Sequence, residues 1–129
     1  MAAQGKATGR LEHLRDDRVV LSAVITLDSN GTAGTVTYGH GVKSVTQSNT
    51  GIFYLTLDDV WNGAEGVFIA GGTAGTAAAP GFARKGKVDL ASKKIWFFTG
   101  TAAAPQTLAA VPNMLVEFMM IARNTELNR

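Results

Sequence analysis

The sequence predicts an all-β fold: a single-domain β-sandwich or small barrel of about eight short antiparallel strands with an N-terminal arm. Three observations carry that expectation. Apolar residues recur with a period of two in several runs, turn-forming residues punctuate those runs at short intervals, and no long segment keeps a helical period. At 129 residues the chain has the length of one domain. Residues 1–17 read as the arm and residues 18–129 as the β-sandwich domain.

Residues 1–17 are small and polar, then mixed in charge; Leu11 and Leu14 could share one face of a single helical turn, too short to stand alone. At Arg18 the pattern changes. In RVVLSAVITLD, residues Val19, Leu21, Ala23, Ile25 and Leu27 fall on one face and Val20, Ser22, Val24 and Thr26 on the other, as in a strand. The Asn30-Gly31 turn leads to a return strand, GTVTYG, giving a first hairpin. A second hairpin joins VKSVTQ to IFYLTL through SNTG, with Gly51 able to take a positive φ.

LDDVWNGAEG is too rich in turn formers for a strand and could hold one helical turn, before a short buried strand, GVFIAG. The Gly- and Ala-rich stretch 71–83 reads as a long loop. KGKVDL, the turn ASKK and KIWFFT make a third hairpin, and a second small-residue loop leads to the closing strand MLVEFMMIAR. TAAAP occurs at 76–80 and again at 101–105, too short a match to define a repeat architecture.

Two strands are apolar on both faces. Ile95 and Phe97 point one way and Trp96 and Phe98 the other; Met114, Val116, Phe118 and Met120 oppose Leu115, Met119 and Ile121, with Glu117 interrupting. A sandwich strand with one wet face alternates apolar with polar. Trp96 and Phe98 exposed beside Met119 would form a patch as large as a monomer normally tolerates, so that second face is expected to lie under another part of the chain or against a partner.

The charged share, 17%, is below that of an average soluble domain, which suggests that part of the surface is covered. A net charge of +2 does not imply nucleic acid. No cysteine is present, which removes disulfides, thiolate catalysis and Cys-ligated zinc. The amino-terminal stretch MAAQGKATGRLEHLRDDR has no apolar run of signal-peptide length and nothing in the sequence approaches a membrane span, so the expected site of synthesis is a cytoplasm and no membrane partner is expected.

Reactive constellations are equally scarce. His13 and His40 lack a Ser, Cys or acidic partner at a recognisable spacing. Asp16-Asp17 and Asp58-Asp59 do not form the spaced array that wraps calcium, and GKATGR lacks the order of a phosphate loop. Asn30-Gly31-Thr32 matches a glycosylation sequon but reads more simply as a turn. No catalytic, cofactor-binding or metal-ligating residue is assigned, and the chain is not expected to be an enzyme. The basic run 84–94 leads straight into Trp96 and Phe98, the arrangement used by single-strand-binding barrels, although the same charges suit the outward positions of a hairpin.

One stretch carries a resemblance. GVKSVTQSNTGIFYLTL, residues 41–57, resembles a pattern of small β-rich virion proteins of tailed bacteriophages, in which G-V-x-S-V-T and a turn lead into G-x-Y-x-V-T-L. Gly41, Val42, Ser44, Val45 and Thr46 match its first half and Gly51, Thr56 and Leu57 its second; Phe53 stands in place of Tyr and Leu55 in place of Val. The ending LVEFMMIARNTELN is similar to the closing strand of such proteins.

The resemblance implies a head decoration, or cement, protein: a β-domain on the outer surface of an icosahedral capsid, commonly a homotrimer, whose partner is the major capsid protein. It would stabilise the shell by multivalent clamping of neighbouring subunits. On that expectation Trp96, Phe98, Met119 and Ile121 pack against a subunit or the capsid, and Leu11, Leu14 and Arg15 in the arm make a capsid contact. The rival expectations are a phage tail-fibre or receptor-binding module and a single-stranded nucleic-acid-binding barrel.

Overall fold

The computed structural model describes residues 18–73, 81–101 and 107–123. Its described residues form eight strands and no helix: β1 (Arg18–Leu27), β2 (Gly34–His40), β3 (Val42–Asn49), β4 (Ile52–Leu57), β5 (Gly63–Thr73), β6 (Gly81–Asp89), β7 (Lys94–Thr101) and β8 (Met114–Arg123). The all-β sandwich expected from the alternating pattern is the fold observed. Two four-stranded antiparallel sheets face each other, a front sheet ordered β2-β1-β8-β5 and a back sheet ordered β3-β4-β7-β6.

Each central strand supplies the core from its alternate positions, as the pleat requires. Leu21, Ala23, Ile25 and Leu27 of β1 and Met114, Val116, Phe118, Met120 and Ala122 of β8 line the inner side of the front sheet. Phe53, Leu55 and Leu57 of β4 meet them from the back sheet together with Ile95 and Phe97 of β7. Phe53 and Phe97 lie opposite each other across the β4–β7 pair, their rings 5.2 Å apart and nearly parallel. Thr99 is the one polar side chain wholly inside among the described residues. Its hydroxyl donates to the Ala109 carbonyl at 2.7 Å, which fastens the segment before β8 to the back sheet without leaving the hydroxyl unpaired.

The turns follow the chemistry of their residues. Asp28 closes the β1–β2 connection by accepting from the backbone N–H groups of Asn30 and Thr32 at 3.1 and 3.0 Å. Gly41, with φ of 86°, carries the chain from the front sheet to the back; a side chain there would run into Leu21. Leu57 and Asp58 close that end, the Asp58 N–H donating to the Gly41 carbonyl at 3.0 Å.

Three local expectations need correction. The segment 57–66 holds no helical turn; the chain bends through Asp58–Asn62 and is already strand at Gly63. Nor is GVFIAG a short buried strand: it lies within the 11-residue edge strand β5 with Phe68 exposed, and Gly66, with φ of 61°, sits at the break in register between Glu65 and Phe68, where a bulge accommodates the turn-rich composition. The stretch 71–83 is not all loop either: Gly71–Thr73 end β5 and Gly81–Ala83 begin β6, while 74–80 lie outside the described residues. The small residues serve packing there. A Cβ on Gly71 would come within 2.8 Å of the Ala83 Cβ, so the front and back edges approach only because both side chains are minimal.

Candidate functional site

The outer side of the front sheet is built from the positions left over by the core. Read across the strands, the register places His40, Ser22, Met119 and Phe68 in one row, and Tyr38, Val24, Glu117 and Ala70 in the next. Thr35, Thr26, Leu115 and Gly72 form a third, and Val20, Ile121 and Glu65 lie on the other side of the Met119 row. Four large apolar side chains stand in water on this face: Phe68 at 63% exposure, Tyr38 at 62%, Met119 at 47% and Leu115 at 44%. The informative observation is that they share one face, Tyr38, Phe68 and Met119 around a single groove and Leu115 beyond Glu117, since single exposed apolar residues are ordinary.

The face is not flat. Ala70 and Gly72 on the edge strand β5 leave depressions between the larger residues. One groove of about 360 Å³ runs between Tyr38, Phe68 and Met119 over Ser22, Val24 and Ala70. A second, of about 650 Å³, lies beyond Glu117 and is lined by Thr26, Ala70, Gly72, Asn113 and Leu115. Glu117 borders both.

A charged cluster bounds the face at the end where β1 begins and β8 ends. Arg18 donates from Nε and Nη2 to the two oxygens of Glu65 at 3.1 and 3.0 Å, and Arg123 Nη1 donates to Glu65 Oε2 at 3.1 Å. Hydrogen bonds from Arg18, then the charges of Arg18 and Arg123, outweigh partial desolvation and hold the Glu65 carboxyl below its usual range.

The outer side of the back sheet is different in kind. Tyr54 and Trp96 pair across β4 and β7 with ring centroids 4.9 Å apart, and Lys94 Nζ lies 4.5 Å from the centre of the Tyr54 ring and 5.9 Å from that of Trp96. Phe98 fits over Gly86, where a Cβ would lie 2.8 Å from its ring, and Arg84 sits 4.6 Å over Phe82. The apolar residues here are half-buried by one another and capped by cations, so the surface they present is aromatic and basic.

The four domain residues expected to form one packing site therefore separate. Trp96 and Phe98 lie on the outside of the back sheet, Met119 and Ile121 on the outside of the front sheet, with the whole core between them. Trp96 and Phe98 are not beside Met119, because β7 and β8 belong to different sheets although they follow each other in sequence. Leu11, Leu14 and Arg15 lie outside the described residues. Sequence reasoning placed Leu115 on the same face of the closing strand as Met119 but missed Tyr38 and Phe68 as part of that face. Tyr38 and Phe68 each stand on an edge strand, and only the strand order, β2 and β5 flanking β1 and β8, assembles them.

Among the described residues no group of three or more His, Cys, Asp or Glu side chains is placed to hold a metal ion, and no helix is long and apolar enough to cross a membrane. His40 is exposed at the end of β2. No family model matches the chain, and no curated protein or solved structure matches it.

Proposed function

We propose that the protein is a structural component of a tailed-bacteriophage virion, a head decoration protein that binds the outer surface of an icosahedral capsid and clamps neighbouring major capsid proteins. The observation that carries this reading is a set of exposed large apolar side chains on one face of the two-sheet body: Tyr38, Phe68 and Met119 around one groove, and Leu115 on the far side of Glu117. Such a surface is the usual mark of a protein contact. The resemblance of residues 41–57 and of the closing strand to small β-rich virion proteins supplies the biological setting. Those residues form β3, β4 and β8, which contribute Val42, Phe53, Leu55, Leu57 and the inner row of β8 to the core.

The mechanism is non-covalent and multivalent. The chain acts as a homotrimer, each copy engaging a separate capsid subunit, and linkage raises the local concentration of every further contact. No catalysis and no cofactor enter. Electron cryomicroscopy of the virion that contains this chain tests the proposal: density for the sandwich on the outside of the head is expected, and density on the tail, as for a fibre or receptor-binding module, would overturn it.

One observation favours a second reading. Tyr54, Trp96 and Phe98 share the back-sheet surface with Lys94 and Arg84, a combination suited to stacking bases while attracting phosphates. That reading requires a single-stranded oligonucleotide to quench Trp96 fluorescence at about 50 mM salt and to release it as salt rises; absence of quenching at low salt removes it.

A further inference from the structure

We infer that the front-sheet surface, and not the aromatic back-sheet surface, is the side that meets the capsid, and that it receives a segment of capsid protein carrying apolar side chains next to a Lys or Arg. This rests on the decoration reading above and assigns its contact surface and the chemistry of its partner.

The two outer surfaces differ in what they leave unsatisfied. On the back sheet the rings of Tyr54, Trp96 and Phe82 already have cations of the same chain above them, and Phe98 is fitted over Gly86. On the front sheet the four apolar side chains remain about half or more exposed, and the depressions between them are open. A Cβ placed on Gly72 meets nothing within 4 Å, so the floor of the second groove has room for a side chain from outside.

Charge then selects the occupant. Glu117 stands exposed in the middle of the face, between Val24 and Ala70 in its row, and borders both grooves. No ion pair to Glu117 is formed among the described residues. The cations on this face, Arg18 and Arg123, are engaged with Glu65 at its far end. From Glu117 to Ile121, which lies in the Glu65 row, is a run of roughly 13 Å along β8, longer than the screening length of about 8 Å at physiological salt. His40, the other titratable group near the face besides Tyr38, lies on β2 with β1 between it and β8.

A second copy stacked on this face about a two-fold through its centre would bring two Glu117 carboxylates together at the place where water is excluded, which is costly. A heterologous segment with a Lys or Arg over Glu117 and apolar side chains in the two grooves that Glu117 borders satisfies both features at once. Four strands by four rows give a face of roughly 400–500 Å², smaller than the about 800 Å² per partner of a stable two-body complex. The contact is thus weak singly and needs several copies, as the clamp mechanism demands.

The test adds purified full-length protein to capsids of the same phage assembled without it and measures the amount retained after sedimentation. Gly72→Leu fills the second groove, and Glu117→Lys reverses the central charge; neither position contributes to the core. Thr46→Leu places the same bulk on the outer side of the back sheet, at an exposed position. Circular dichroism melts establish that all three fold. Wild type and Thr46→Leu are expected to bind alike, and Gly72→Leu and Glu117→Lys to lose affinity tenfold or more. Wild-type binding that survives both front-sheet variants, or that falls as much in Thr46→Leu, overturns the assignment of the face while leaving decoration intact. Failure of the wild type itself to bind overturns the decoration reading and the assignment with it.

Discussion

Replacing Phe97 by alanine, with Trp96→Ala beside it, probes the division of β7 into an inner and an outer face. Phe97 is wholly buried and stacked on Phe53 with ring centroids 5.2 Å apart. Its removal forfeits the transfer energy of the ring and opens a cavity between the sheets, a loss of about 3–5 kcal/mol. That is a large part of the roughly 5–15 kcal/mol that holds a domain folded. Trp96 is half-buried, and water fills the space its ring leaves. Its truncation loses the contact with Tyr54, about 0.5–1.5 kcal/mol, and part of its buried area, for a total of about 1–2 kcal/mol. Urea unfolding followed by far-ultraviolet circular dichroism gives both values, provided the slope with denaturant is unchanged. In a thermal melt the Phe97 variant should fall by about 10–20 °C and the Trp96 variant by about 3–8 °C. A Trp96→Ala loss equal to or larger than that of Phe97→Ala would refute the inward and outward assignment on which the placement of both surfaces depends.

Gly41→Ala should cost about 1–3 kcal/mol, because the residue holds a left-handed φ of 86° and its Cβ would enter the Leu21 side chain; Gly72→Ala, free of both constraints, should be neutral or slightly stabilising in the same unfolding assay. Glu65→Gln tests the charged cluster. The folded-state pKa of Glu65 is depressed, so its ionised form stabilises the fold fully above the ordinary carboxylate value of about 4.3, and that contribution disappears as pH falls through the depressed value. The difference in melting temperature between wild type and Glu65→Gln should therefore be greatest near neutral pH and shrink in acid; a difference constant with pH would contradict the ion-pair account.

Alternation made the central strands legible. β1 and β8 appear in the structure with the facing expected from RVVLSAVITL and MLVEFMMIAR, because a period of two leaves one way to bury Leu21, Ile25, Val116 and Met120 together. The edge strands were harder to read. Glycine and alanine at Gly71, Gly72, Gly81 and Ala83 carry a loop-like composition, yet two of these sites owe their small size to close approach: Gly71 to Ala83, and Gly81 to Val111 and Met114. Local composition cannot distinguish a flexible residue from one made small by a neighbour distant in sequence.

The candidate surface was legible only in part for the same reason. Met119 and Ile121 stood out as the second apolar face of β8, and they do point away from the core. Their neighbours Phe68 and Tyr38 come from strands about 50 and 80 positions earlier in the chain. Nothing in the alternation of one strand reveals which strands flank it. Trp96 and Phe98 were grouped with Met119 because β7 precedes β8; the crossing between sheets at residues 107–113 puts them on opposite outsides.

The methionines supply the most direct measurement. Met119 is 47% exposed on the front-sheet surface, while Met114 and Met120 on the same strand are fully buried and serve as internal controls. Mild peroxide oxidation followed by peptide mass spectrometry, on the free protein and on intact virions, reads contact at that one side chain. Met119 should oxidise readily in the free protein and become as resistant as Met114 and Met120 in the particle. Equal oxidation of Met119 in both states would mean that nothing covers the face, and would contradict its assignment as the capsid contact.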